Sequence, residues 1–240
     1  MDSAPAAPVR LLLWLGSRGG LFLAGVLIVV AGTWGFFALA GEVKEGDTGH
    51  FDRAVNQYFH DHPGPTFLQE AGRDITSLGG IIVITLVIAA VVGYLLLVGK
   101  YAMVVFVILA TLGGLLLTVS LKHVIDRPRP AERSASVVVY TQSFPSGHSA
   151  LSATVYLTLG GLLGRTTRQK RLKFYYLALA LCLTGLIGCS RIYLGAHYPT
   201  DVLAGWTIGL VWSIFCWLVA VELQRRRVVE REEETASSES

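Results

Sequence analysis

Long apolar stretches separated by short polar blocks dominate the chain. A membrane-spanning helix needs about 20 mostly apolar residues. About six stretches approach that length: Leu21 to Leu39, Gly80 to Val98, Ala102 to Leu121, His148 to Leu163, Phe174 to Ile187 and Val202 to Val221. The fourth and fifth are short, which puts their polar ends near the membrane surface. Ala38-Leu39-Ala40 resembles a signal-peptide cleavage site. The apolar run before it is longer than the roughly 7–15 residues of a signal core, so the first stretch reads as an uncleaved span. The pattern therefore predicts an all-α, polytopic membrane bundle. Between the first two spans, Phe51, Val55, Tyr58 and Phe59 recur at helical spacing, with Asp52, Arg53 and Gln57 among them. That alternation suggests a short amphipathic helix on the outer membrane surface; a plain loop is the alternative.

Composition agrees with this reading. Of 240 residues, 52% are hydrophobic and 15% charged, against about 25% charged in soluble proteins. A single membrane domain is expected over residues 1–228, followed by an acidic, Ser-rich tail, 229–240, read as disordered. The net charge of +3 says little, but its distribution says more. Arg10 and Arg18 precede the first span, and Lys100 sits between the second and third. Arg165, Arg168, Lys170, Arg171 and Lys173 lie between the fourth and fifth, and Arg225, Arg226 and Arg227 follow the sixth. With about six spans these all share one side, which the positive-inside rule makes cytoplasmic, together with both termini. The acid-bearing segment from Gly41 to Leu78, with Glu42, Glu45, Asp47, Asp52 and Asp61, then lies outside. Cys182, Cys189 and Cys216 match no metal pattern and read as buried free thiols. Gly160 with Gly164, and Gly205 with Gly209, form G-x-x-x-G pairs that permit close helix packing. Internal packing is the first reading and a homodimer seam the second.

Three polar blocks interrupt the apolar pattern: "KHVIDRPRP" from Lys122, "PSGH" from Pro145, and "SRIYLGAHYPTD" from Ser190. By span parity all three emerge on the outer side and can converge. Lys122, Arg129 and Arg191 would form a cation cluster suited to a phosphoryl group, whose charge spreads over several oxygens. Pro128 and Pro130 stiffen the chain around Arg129. Ser146 and Gly147 open a helix, where free N–H groups and the dipole favour an anion. For P-S-G-H alone, a plain turn with an N-cap reads equally well. One of His148 and His197 can attack phosphorus while the other donates a proton to the leaving oxygen. Asp201, four residues after His197, can accept from Nδ1 and leave Nε2 free. A lone His–Asp pair is more often structural; its company of cations, a second histidine and a helix mouth favours catalysis.

Two other readings compete. A divalent-metal site would need clustered carboxylates or histidines. Asp126, Glu132 and Asp201 instead stand among cations, and only His50, His60 and His62 suggest an adventitious zinc site. A non-catalytic transporter of anionic lipid would place charged groups near mid-membrane, where the spans have none.

The three blocks resemble the signature of the type 2 phosphatidic acid phosphatase superfamily, the lipid phosphate phosphatases: K-x6-R-P, P-S-G-H and S-R-x5-H-x3-D. Here these read Lys122 to Arg129-Pro130, Pro145 to His148, and Ser190-Arg191 to His197 and Asp201. The resemblance runs from about Asp74 to Val221 and includes "ITSLGG" from Ile75. It implies a helical core and a metal-independent, cofactor-free histidine phosphatase. His197 would be the nucleophile, Asp201 its orienting acid and His148 the general acid. Lys122, Arg129, Ser146, Gly147 and Arg191 would bind phosphate. Vanadium haloperoxidases share the signature but are soluble. Compact length and short loops resemble bacterial plasma-membrane members acting on phosphatidate, phosphatidylglycerophosphate or undecaprenyl diphosphate. Lipid phosphotransferases carry the same motif, so transfer to a second lipid remains an alternative.

Overall fold

The computed structural model describes residues 18–130 and 142–238, with side chains placed as far as 223. Arg10, Glu132, the side chains of Arg18 and Arg225 to Arg227, and the last two residues of the tail lie outside the described set. The described residues form eight helices and no strand. These are α1 (Arg18–Glu45), α2 (Gly49–Asp61), α3 (Thr66–Ser77), α4 (Ile81–Leu97), α5 (Tyr101–Val124), α6 (Gly147–Thr166), α7 (Lys170–Tyr193) and α8 (Pro199–Ser238).

α6 is the hub, packing on α7 and α8 and also on α5 and α4. Its residues from Ser149 to Val155 are all buried, whatever their polarity. Small residues make this closeness possible. A Cβ on Gly209 would stand 2.5 Å from the Ala150 carbonyl oxygen, and one on Gly205 would stand 2.7 Å from that of Ser146. The backbones of α6 and α8 thus touch directly, which only glycine allows. A Cβ on Gly160 would meet that of Ala180 on α7 at 3.0 Å, so this glycine too packs within the chain. Ser213 on α8 donates to the carbonyls of Gly209 (2.8 Å) and Thr154 (3.1 Å), so its hydroxyl is satisfied inside the bundle. α1 runs along α8, and its Phe36 and Ala40 join Phe144, Ile125, Ala204 and Ile208 in one core cluster.

Among the described residues, four helices are long and apolar enough to cross a membrane: α1, α5, α7, and α8 as far as Leu223. α3 and α4 would add a fifth if taken as one span bent by 48°. The sequence count of about six also included the stretch that becomes α6. The first half of that helix is enclosed by other helices, so burial lets it carry Ser149, Ser152 and Thr154 in place of larger apolar residues. α7 exceeds the expected Phe174 to Ile187 because it carries Ser190 and Arg191 into the protein while still helical. The helix expected around Phe51 is α2, and a second one, α3, follows it. The thiols are free, but Cys182 and Cys189 are exposed rather than buried. An apolar segment has an outward face in lipid, so apolar surroundings do not imply a protein interior. α8 extends to Ser238; the Arg and Glu in its last turns are good helix formers.

Candidate active site

The three polar blocks meet at one end of the bundle. Lys122 lies in the last turn of α5, Ser146 caps α6, Arg191 lies in the last turn of α7, and Asp201 lies in the first turn of α8. The residues just before α6 lie along this end: Ser143 N donates to Arg127 O (2.9 Å), and Ser146 N donates to Asp201 O (2.9 Å). The Gln142 carbonyl accepts from Lys122 Nζ (2.7 Å) and Arg129 Nη2 (3.4 Å), which brings these two cations side by side. Arg191 is buried, with Nη1 donating to Thr76 Oγ1 (3.1 Å). A Cβ on Gly147 would point at Lys122 Cε from 3.7 Å, so the missing side chain keeps the helix mouth open toward that amine. Ser146 is fully buried and its hydroxyl accepts from Ser149 Oγ (3.0 Å), which fixes the turn.

His197 sits in the turn between α7 and α8 and is 2% exposed. Arg129 Nη1 donates to Ala196 O (2.8 Å) and approaches His197 Nε2 at 3.1 Å. A guanidinium can only donate, so Nε2 accepts and the proton of the neutral ring is on Nδ1. Nδ1 faces Asp201 Oδ2 at 3.4 Å and Ser143 Oγ at 3.3 Å, while Ser143 Oγ donates to Asp201 Oδ2 at 2.5 Å. Ser143 is therefore shared by the histidine and its acid. Burial pushes the His197 pKa from the ordinary 6.5 down to about 4; Arg129 and Arg191 push the same way, while Asp201 opposes them. The resting ring is neutral, with its Nε2 lone pair toward Arg129.

His148, in the first turn of α6, is half-buried, and the charges of Arg191, Arg129 and Lys122 and the ring of His197 all act on it. The break between α3 and α4 lies against it: a Cβ on Gly79 would meet the His148 carbonyl at 3.3 Å and Ile187 at 2.5 Å. "ITSLGG" thus supplies the close approach that seats His148. Lys122, Arg129, Ser146, Gly147, His148, Arg191, His197 and Asp201 are all brought to this one end. His50, His60 and His62 are exposed, and no three His, Cys, Asp or Glu side chains group as metal ligands among the described residues.

Sequence reasoning missed five contributors: Ser143, Arg127, Thr200, Asp52 and Asn56. Arg127 Nη1 donates to Asp201 Oδ1 (2.6 Å) and Thr200 Oγ1 (2.8 Å), and Nη2 donates to Asp52 Oδ2 (2.6 Å). Asn56 Nδ2 donates to His197 O at 3.5 Å. Asp52 and Asn56 stand one turn apart on α2, a spacing that was visible; in an amphipathic helix it reads as a water-facing side. Instead that face turns into the protein, and Phe51 and Tyr58 are exposed.

Residues 102–225 match the family model of the PAP2 superfamily. Phosphatidylglycerophosphatase B of Bacillus subtilis is 40% identical over 98 residues, covering 40% of this chain and 47% of that protein. The undecaprenyl-diphosphatase of Sulfolobus acidocaldarius is 36% identical over 67 residues, 28% of each. The chain thus spans less than half the length of either relative. Among solved structures, a transmembrane PAP2-type phosphatidylglycerolphosphate phosphatase from Bacillus subtilis superposes with a TM-score of 0.76 at 27% identity, covering 81% of this chain and 96% of that one. LpxE of Aquifex aeolicus gives 0.52 at 26% identity, covering 70% and 93%. With the signature residues gathered at one end of an all-helical membrane bundle and the family match spanning four of its helices, this chain belongs to the PAP2 superfamily.

Proposed function

We propose that the protein is a membrane phosphatase that removes phosphate from a lipid phosphate through a phosphohistidine on His197. The observation that carries this reading is the state of His197: a neutral, buried ring with Nδ1 toward Asp201 and Nε2 against Arg129. A substrate phosphate that recruits Arg129 uncovers the Nε2 lone pair at the moment phosphorus comes within reach. Nε2 attacks phosphorus, the bond to the lipid oxygen breaks, and His148, protonated once the substrate's negative charge offsets the cations around it, gives that oxygen its proton. Water then attacks the phosphohistidine and passes a proton to His148. Phosphate leaves with the former P–N bond broken, and Nε2 regains its lone pair. Lys122, Arg129 and Arg191 stabilise the charge on the equatorial oxygens at both steps, which makes a divalent metal unnecessary.

α4 and α6 complete a six-span arrangement in this reading, with α2 and α3 on the outer surface and the site facing outward. The relatives' names favour glycerophospholipid phosphates or polyprenyl diphosphates as substrates. The test offers purified protein phosphatidate, phosphatidylglycerophosphate and undecaprenyl diphosphate in turn, with phosphate and lipid products both measured. Release of phosphate by the wild type and loss of about 10³-fold or more in His197→Ala are expected. Equal turnover in a folded His197→Ala protein would overturn the assignment, and a phosphorylated second lipid in place of free phosphate would make the enzyme a transferase.

A further inference from the structure

The geometry points to Arg127 as a positioning residue for the His197–Asp201 pair, with Asp52 on α2 tuning how much of its charge acts there. The inference rests on the phosphatase reading above for its consequence, and on the hydrogen-bond geometry for its existence.

Asp201 is held on both sides. Its Oδ2 accepts from Ser143 Oγ (2.5 Å) and Tyr198 N (2.9 Å) and faces His197; its Oδ1 accepts from Arg127 (2.6 Å). The carboxylate cannot rotate without breaking a bond at one end. Arg127 is itself fixed by the second acid: Asp52 accepts from Arg127 Nη2 (2.6 Å), Thr200 Oγ1 (2.6 Å) and Thr200 N (3.1 Å). Its guanidinium also lies 4.4 Å from the centre of the Tyr198 ring. Both carboxylates are fully buried. Burial disfavours the charge on Arg127, but Asp201 and Asp52 outweigh that and raise its pKa above the ordinary guanidinium value.

One cation between two buried anions leaves a net single negative charge beside His197. When Nε2 bonds to phosphorus with Nδ1 still protonated, the ring becomes positive, and that residual charge is there to receive it. Without Arg127 the full charge of Asp201 would favour a protonated, non-nucleophilic ring before substrate arrives. Without Asp52, Arg127 would neutralise Asp201 more fully. The other titratable and charged groups around His197 remain the same in both cases: Lys122 on α5, Arg129 after it, His148 on α6 and Arg191 on α7. α2 is thereby a working wall of the active site, since it also carries Asn56 to the His197 carbonyl.

Two variants should displace the His197 titration in opposite directions, which a merely structural role would not do. The ring is followed by NMR against pH in histidine-labelled protein in detergent micelles, with His197→Asn for assignment. Arg127→Gln should raise the His197 midpoint by on the order of one pH unit, and Asp52→Asn should lower it. In parallel, kcat on a short-chain phosphatidate should fall about tenfold to a hundredfold in Arg127→Gln with KM little changed, and Arg127→Lys should recover part of the loss. Midpoints that stay in place, or move together, overturn the inference. If Arg127→Gln does not fold, the near-isosteric Asp52→Asn decides alone by whether its midpoint falls. Opposite shifts in the two variants, with a wild type that releases no phosphate, would sustain this assignment while removing the phosphatase reading.

Discussion

At the residue scale, the proposed chemistry depends on a histidine kept neutral by burial. An unfolded chain protonates His197 near the ordinary 6.5, whereas the folded protein does so only near 4. Between these values the unfolded state binds more protons, so stability is full above 6.5, falls as the pH drops, and levels off below about 4 for this group. The difference is worth about 3 kcal/mol. Thermal unfolding in detergent across this window should show the decline, and His197→Asn should flatten it; an unchanged slope in the variant would mean that other groups set the acid sensitivity. Ser143 carries a second expectation. Its hydroxyl gives Asp201 its shortest neutral donor, and in Ser143→Ala the carboxylate is left short of a partner in a buried site. Turnover should fall by about tenfold or more, while vanadate still binds, because Lys122, Arg129 and Arg191 are untouched. Loss of vanadate binding with turnover would place Ser143 among the phosphate contacts instead.

At the element scale, the site depends on how closely α6 and α8 approach. Ser146 and His148 at the mouth of α6 reach the start of α8 only because Gly205 and Gly209 let the two backbones touch. Gly209→Leu would force a side chain against the Ala150 carbonyl and should destabilise the protein by about 2–4 kcal/mol, with loss of activity. Gly93 on α4 has nothing within 4 Å of its absent Cβ. Gly93→Ala should therefore be neutral or stabilising by up to about 1 kcal/mol. Thermal unfolding of the two variants checks the contrast, and equal tolerance would show that the α6–α8 contact is not needed.

At the scale of the whole molecule, the polar blocks and α2 occupy one end of the bundle and the turn between α6 and α7 occupies the other. Outward orientation of the site predicts a labelling pattern. After Cys182, Cys189 and Cys216 are replaced, a cysteine at Gln57 should react with an impermeant thiol reagent added to intact cells, and one at Gln169 should not. Both positions are exposed, so the reverse pattern would place the site in the cytoplasm.

What the sequence by itself determined is what local pattern and spacing encode. Apolar runs revealed an all-helical membrane chain, though four or five of the described helices rather than six pass as spans by length and composition, and span parity led to the expectation that three polar blocks share one side. The blocks singled out Lys122, Arg129, His148, Arg191, His197 and Asp201 as candidates by residue type and interval, and the structure gathers them at one end. What only the tertiary structure decided involves partners distant in the chain. Asp52 and Arg127 are 75 residues apart, and no periodicity within α2 reveals that its polar face meets an arginine rather than water. Ser143 looks like any loop serine until its hydroxyl comes within reach of both His197 and Asp201. The inner place of α6 was hidden for a related reason. Hydropathy measures what a helix can face, and a helix surrounded by others is free to be polar, so its role follows from packing against α7 and α8 rather than from its own composition.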